Sequence, residues 1–332
     1  MDIYKVAPSF CPSLRNATCG KIYSSVVLNV ALYVIFAIAV FLAVFGNLLL
    51  IVSICHFKQL HSVTNLLIAS MALSDFMIGL FTMPIGAIKT VEKCWYSDSM
   101  LCLFEIIISA ILTSVSEVHL LFLAVDRYCA ICFPLLYSIK VTLKVGWIFV
   151  IISWVSSIVY CFLLIHFSLV YKNNCTGYCG ILYVFITIFI DYVLSFILPF
   201  SVMIGLYTKI LFVAKLHTNK INFGEQNDLS SKQKADKLSF KRQYKAMKTV
   251  GIVILVFLAC WTPYYLFHFA ASFVVFSRGI LYVVQWTALF NSSFNPLIYG
   301  FFYPWFRKAF KIFMTCKLFE KDSSLINLYS KC

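Results

Sequence analysis

The apolar residues of this chain gather in seven long blocks, near 26–54, 63–89, 100–133, 145–170, 181–213, 244–276 and 280–303. A helix needs about 20 mostly apolar residues to cross the hydrocarbon core of a bilayer, and each block is long enough. The pattern predicts an all-α membrane protein, a bundle of seven transmembrane helices. The polar leader, residues 1–25, carries Asp2, Lys5, Arg15 and Lys21 and does not have the short apolar core of a cleaved signal peptide, so the first block reads as the first span. After the last block, "YPWFRKAFKIFMTC" sets Phe306, Phe310 and Phe313 on one side and Arg307, Lys308 and Lys311 elsewhere, as a short amphipathic eighth helix at the interface would. Three regions follow: an N-terminal segment 1–25, a spanning domain 26–303, and the amphipathic helix with its tail, 304–332. No internal repeat is present, and the one linker-like stretch, 219–237, is polar and charged.

Composition agrees with the pattern. Of 332 residues, 62% are hydrophobic and only 12% charged, a membrane protein's profile. Basic residues orient it: Lys215, Lys220, Lys232, Lys234, Lys237, Lys241 and Arg242 lie between the fifth and sixth blocks, Lys245 and Lys248 at the inner start of the sixth, and the tail adds more. Because basic residues collect on the cytoplasmic side, the C-terminus is expected inside and the N-terminus outside. The net charge of +14 does not point to nucleic acid, since these residues flank spans. Anionic membrane lipids and a cytoplasmic partner account for them.

Cysteines and sequons fit that orientation. Six of the 13 cysteines, Cys11, Cys19, Cys94, Cys102, Cys175 and Cys179, fall in exterior segments where disulfides persist. Asn16 and Asn174 open sequons there, whereas Asn291 opens one inside the seventh span, out of reach of glycosylation. Cys316, after the amphipathic helix, is a candidate for palmitoylation. The six histidines show no zinc-ligand spacing and no phosphate loop appears, so an enzyme is not expected. A transporter is the competing membrane class, but paired broken helices and inverted repeats are lacking in the sequence.

Motifs at the inner ends narrow the class. Asp126-Arg127-Tyr128 ends the third span, "CWTP" at 260–263 interrupts the sixth and "NPLIY" at 295–299 closes the seventh. With Gly46-Asn47, "LSD" at 73–75 and Trp154, the order and spacing resemble the rhodopsin-like G-protein-coupled receptors from end to end. "NSSFNPLIYGFFYPWF" at 291–306 is similar to the signature of trace amine-associated receptors, and "HFKQLHSVTN" at 56–65 points the same way.

The resemblance implies disulfides Cys102–Cys179, Cys11–Cys175 and Cys19–Cys94. It implies activation switches at Asp126, Arg127 and Tyr128, at Pro199 and Phe257, at Trp261 and Pro263, and at Asn295, Pro296 and Tyr299. Pro263 and Pro296 cannot donate to the helix ladder and so loosen their spans. Where relatives often carry a carboxylate as a second lock on Arg127, this chain has Gln243, a departure expected to raise basal activity. Asp75, with Ser116, Asn291 and Asn295, holds a sodium ion by resemblance; a hydrated polar network is the other reading. Glu117 stands at an aliphatic position of the family's transmission core, either neutral and hydrogen-bonded or coupling activation to protons.

Asp191 interrupts the apolar stretch "IFIDYVLSFILPF" at 188–200. An intramembrane carboxylate costs about 2.5–3.5 kcal/mol on insertion scales and so faces the bundle interior. Thr187, Asp191 and Ser195 recur four apart, a polar stripe on one helix face. Aminergic receptors place an Asp in span three to pair with the ligand's ammonium; this chain has Ser109 there, and Leu289 replaces the usual tyrosine partner in span seven. The chain is similar to a fish olfactory subset in which the anchor has moved to span five. The implied ligand is a protonated amine on Asp191, with Tyr264, Tyr265, Trp286 and Phe290 as ring faces; the bland alternative is a structural brace. Glu105, one turn outward from Ser109, either receives a second ammonium of a diamine or sits at the wet rim. The resemblance further implies an olfactory plasma-membrane receptor, in neuronal cilia, raising cyclic AMP through a stimulatory G protein. Its rival is a receptor of the same fold for a non-amine ligand.

Overall fold

The computed structural model describes residues 25–92, 99–167, 185–223, 231–274, 276–315, 323–326 and 328. Among the described residues, six helices are long and apolar enough to cross a membrane: Val26–His56, Val63–Glu92, Met100–Cys132, Leu143–Phe167, Phe185–Leu216 and Gln243–Ala270. The seventh, Arg278–Phe302, is less apolar because Asn291, Ser292, Ser293 and Asn295 interrupt it, and all four are buried. Its polar groups therefore serve the bundle interior, and the seven helices form the expected bundle. Apolar side chains such as Val27, Trp147, Ile151, Phe162 and Leu255 lie on its outer surface, where they meet lipid instead of water.

The eighth helix, Pro304–Met314, starts with Pro at its first position, where the missing N–H costs nothing. Its faces differ in one respect from the sequence reading. Phe306 turns inward with Trp305, Ala309 and Ile312, while Phe310 and Phe313 stay exposed. The linker reading of 219–237 also changes, because the fifth helix continues to Phe223 and the sixth begins at Ser231. Only 224–230 of that stretch lie outside the described residues.

Three wide π-helical turns, Leu42–Gly46, Ile78–Thr82 and Val193–Ile197, break the regular ladder of spans one, two and five. The last stands just before Pro199, which has no N–H to return to the carbonyl of Ser195, so an extra residue is taken into the turn. Ser195 lies inside it and Asp191 one turn before. Spans one and seven cross closely at Gly46, where a Cβ would come within 2.5 Å of Pro296 Cβ. Beside that approach Asn47 Nδ2 donates to Ala43 O of its own span at 2.8 Å and across to Ser292 O of span seven at 3.0 Å.

Cys102 is disulfide-bonded, while Cys55, Cys129, Cys132, Cys161 and Cys260 are free. Cys11, Cys19, Cys94, Cys175, Cys179, Cys316, Asn16 and Asn174 lie outside the described residues.

Candidate functional site

The polar stripe of span five does turn inward, with Thr187 and Ser195 buried and Asp191 half-buried. Its main partner comes from span four: the Tyr160 hydroxyl donates to Asp191 Oδ1 at 2.7 Å and receives the Ser195 hydroxyl at 2.8 Å. Ser195, Tyr160 and Asp191 thus form a directed chain in which each hydroxyl donates its hydrogen bond toward the carboxylate. Among the described residues no Lys, Arg or His pairs with Asp191. Tyr160 was not singled out in the sequence, where a lone tyrosine in an apolar span reads as packing.

Aromatic rings of spans five and six form a connected cluster, and one of them, Tyr265, lies near enough to Asp191 for the two groups to interact electrostatically. Phe196 stacks on Tyr265 at 5.2 Å between centroids, Phe200 meets Phe257 at 5.6 Å, and Phe257 meets Trp261 at 5.9 Å. Tyr264 lies against Trp261 at 5.4 Å and His268 at 4.3 Å. The four aromatics pooled by the sequence reading are divided in the structure. Trp286 stacks on Phe36 at 3.7 Å and donates to Thr90 at 2.9 Å, and Phe290 packs beside it, in a cluster of spans one, two, three and seven. Tyr264 and Tyr265 belong with Phe196 and Trp261 instead. Leu289 is buried with Trp286, and Ser109 is half-buried.

Two further carboxyls have distinct fates. Glu105 is buried and paired with Lys89 Nζ at 2.5 Å, so it neither stands at a wet rim nor lacks a cation. Glu117 is buried near enough to Asp191 for their charges to interact, and Tyr265 donates to it across a long 3.4 Å.

At the opposite end of span three, Arg127 is clamped. Its Nη2 meets Asp126 Oδ2 at 2.6 Å and also bonds Thr64, its Nε donates to the same carboxylate oxygen at 3.0 Å, and its Nη1 donates to Gln243 Oε1 at 3.0 Å. Thr64 and Tyr137 each donate to Asp126 at 2.8 Å. Burial and the Asp126 carboxylate push the Tyr137 hydroxyl up to about 12, keeping it a donor. Tyr128 stands apart, its ring under Lys209 Nζ at 5.5 Å.

Between these two ends, Asp75 is fully buried and receives Ser116 at 3.3 Å, Ser292 at 2.8 Å and Asn295 Nδ2 at 2.7 Å. Ser292 takes the place at the carboxylate expected of Asn291. The amide oxygens of Asn291 and Asn295 are buried without hydrogen-bond partners among the described residues. Carboxylate and amide oxygens are the ligands a small hard cation prefers, and they equally suit ordered water. Pro296 and Tyr299 follow on the same helix, with Tyr299 almost fully buried.

Residues 46–299 match the 7 transmembrane receptor (rhodopsin family) profile. The chain is 38% identical over 331 residues to trace amine-associated receptor 13c of Danio rerio, covering 97% of this chain and 96% of that one. It is 36% identical to trace amine-associated receptor 4 of Mus musculus, covering 96% and 95%. With the human trace amine-associated receptor 6 it shares 37% identity, covering 98% and 97%. The chain belongs to the trace amine-associated receptors. It is accordingly a multi-pass membrane receptor of the rhodopsin family and not an enzyme, with a small-molecule ligand and a G protein as partners.

Proposed function

We propose that this receptor senses protonated amines through Asp191 and signals through a stimulatory G protein that raises cyclic AMP. The observation that carries the reading is a half-buried carboxylate beside the ring cluster of spans five and six, oriented by Tyr160 and Ser195 and paired with no cation among the described residues. An alkylammonium there gains a charge-assisted hydrogen bond, and the rings of Phe196, Tyr264 and Tyr265 add about 0.5–2 kcal/mol of cation–π attraction.

The N-terminus is outside and the C-terminus in the cytoplasm, in the plasma membrane of olfactory neurons. Cys102 pairs with Cys179. Ligand binding favours the state in which Arg127 leaves Asp126 and Gln243 and the inner ends of spans five and six part for the G protein; only a difference in affinity between the two states can drive this. Asp75, Ser116, Asn291 and Asn295, joined by Ser292, hold a sodium ion in the resting state. Replacing sodium by choline shifts agonist affinity in the intact receptor and leaves an Asp75→Asn receptor unmoved; equal shifts in both would remove the ion.

One observation favours a second reading, a receptor of the same fold for a neutral ligand: the hydrogen bond from Tyr160 and the nearby Ser195 hydroxyl already stabilise the carboxylate. Alkylamines and alcohols of matching shape separate the two. Cyclic AMP responses to the amines alone support the amine reading, and equal or inverted responses support the neutral one.

A further inference from the structure

Residues 323–326 and 328 of the distal tail lie against the bundle. The connection between spans one and two, Phe57–Ser62, lies at the Arg127 end, since Thr64 just beyond it bonds Arg127. Gln59 in this connection contacts the tail twice: its Nε2 donates to Ile326 O at 2.7 Å and its Oε1 accepts Leu328 N–H at 3.2 Å. A glutamine amide offers one donor and one acceptor, like a peptide group, and here it takes a carbonyl and an N–H two residues apart, as a neighbouring strand would. Beside it, His56 Nε2 and the Ser323 hydroxyl are 2.9 Å apart.

Side chains then fix the register. Leu328 is 2% exposed, within the apolar cluster that contains Phe57, Leu60 and Ile312, and Ile326 packs on that cluster. Leu325 points away, 61% exposed. The segment enters as a short 3-10 turn, Ser323–Leu325, closed by Ile326 N–H on Ser323 O at 3.2 Å, and a surface that reads two of its backbone groups, one hydroxyl and one buried leucine is a peptide-binding surface.

We propose that the connection between spans one and two is a docking site for the receptor's own distal tail, with residues 323–326 and 328 as its internal ligand. Docked, the tail joins the eighth helix, which supplies Ile312, to the connection that leads into Thr64 and the Arg127 clamp. It also occupies the hydrogen-bonding groups of His56 and Gln59 that a partner approaching this end would otherwise find open. Undocking then frees that face and loosens the connection.

Hydrogen–deuterium exchange of the full-length receptor in lipid nanodiscs tests this. The arms are the intact chain, Gln59→Ala, Leu328→Ala, and a chain ended after residue 322 with and without the peptide SSLINL. Residues 57–62 are expected to exchange slowly in the intact chain and about tenfold faster in each variant, as the loss of two ordinary hydrogen bonds implies. The peptide added to the shortened chain restores slow exchange. If Gln59→Ala fails to fold, Leu328→Ala and the shortened chain decide. Unchanged exchange in these, or a tail that exchanges like free peptide in the intact chain, overturns the docking site.

Discussion

Tyr160 of span four donates a 2.7 Å hydrogen bond to Asp191 of span five, and the same hydroxyl receives Ser195. The carboxylate is therefore held from a neighbouring helix, fixing the oxygen that faces a ligand. Tyr160→Phe removes the donor with almost no change of shape. A hydrogen bond to a charged group is worth about 1.5–3 kcal/mol, so amine potency in the cyclic AMP assay is expected to fall roughly tenfold or more at matched surface level. Unchanged potency would mean that the hydroxyl does not orient the carboxylate.

Glu105 serves stability more than recognition, because Lys89 already occupies it at 2.5 Å. Glu105→Gln leaves Lys89 with a weaker partner in a largely buried place. Its thermal midpoint is expected to drop while monoamine and diamine potencies stay within about threefold, since removing one partner of a buried pair costs folding energy. Selective loss of the diamine response would restore Glu105 to the binding site.

Arg127 is held by a neutral acceptor, Gln243, at 3.0 Å. Gln243→Glu replaces it with a charged one of nearly the same size, and charge-assisted bonds are about twice as strong. Ligand-independent cyclic AMP should fall severalfold. A rise would show that the bond is absent from the resting state.

Gly46 admits Pro296 where a Cβ would come within 2.5 Å of the ring. Gly46→Ala forces the two helices apart or strains them, at about 1–3 kcal/mol for overpacking. Lower thermal stability in detergent, with weakened coupling of Asn47 to Ser292, is the expected result; a midpoint equal to that of the intact receptor contradicts the close crossing.

Span count and the polar stripe at 187, 191 and 195 are legible in the sequence because lipid demands long apolar runs and turns any polar face inward. The partners are less legible. Tyr160, Lys89 and Ser292 belong to other helices, and their contacts depend on helix rotation and on the wide turns at Leu42–Gly46, Ile78–Thr82 and Val193–Ile197, which shift the register of every residue after them. The pooling of Trp286 with Tyr265 failed for the same reason: in a chain with 17% aromatic residues, ring content does not tell which side of the bundle a ring faces. One signal was available for Lys89, a lone cation inside the second span that needed an acid nearby.

The direct test of the central claim is cyclic AMP in cells displaying the intact receptor or Asp191→Asn at equal surface levels, across mono-, di- and tertiary amines. Responses from the intact receptor alone are predicted, because asparagine keeps the shape and the Tyr160 contact while losing the charge. Equal amine responses from both would contradict the account and leave Asp191 as a brace between spans four and five.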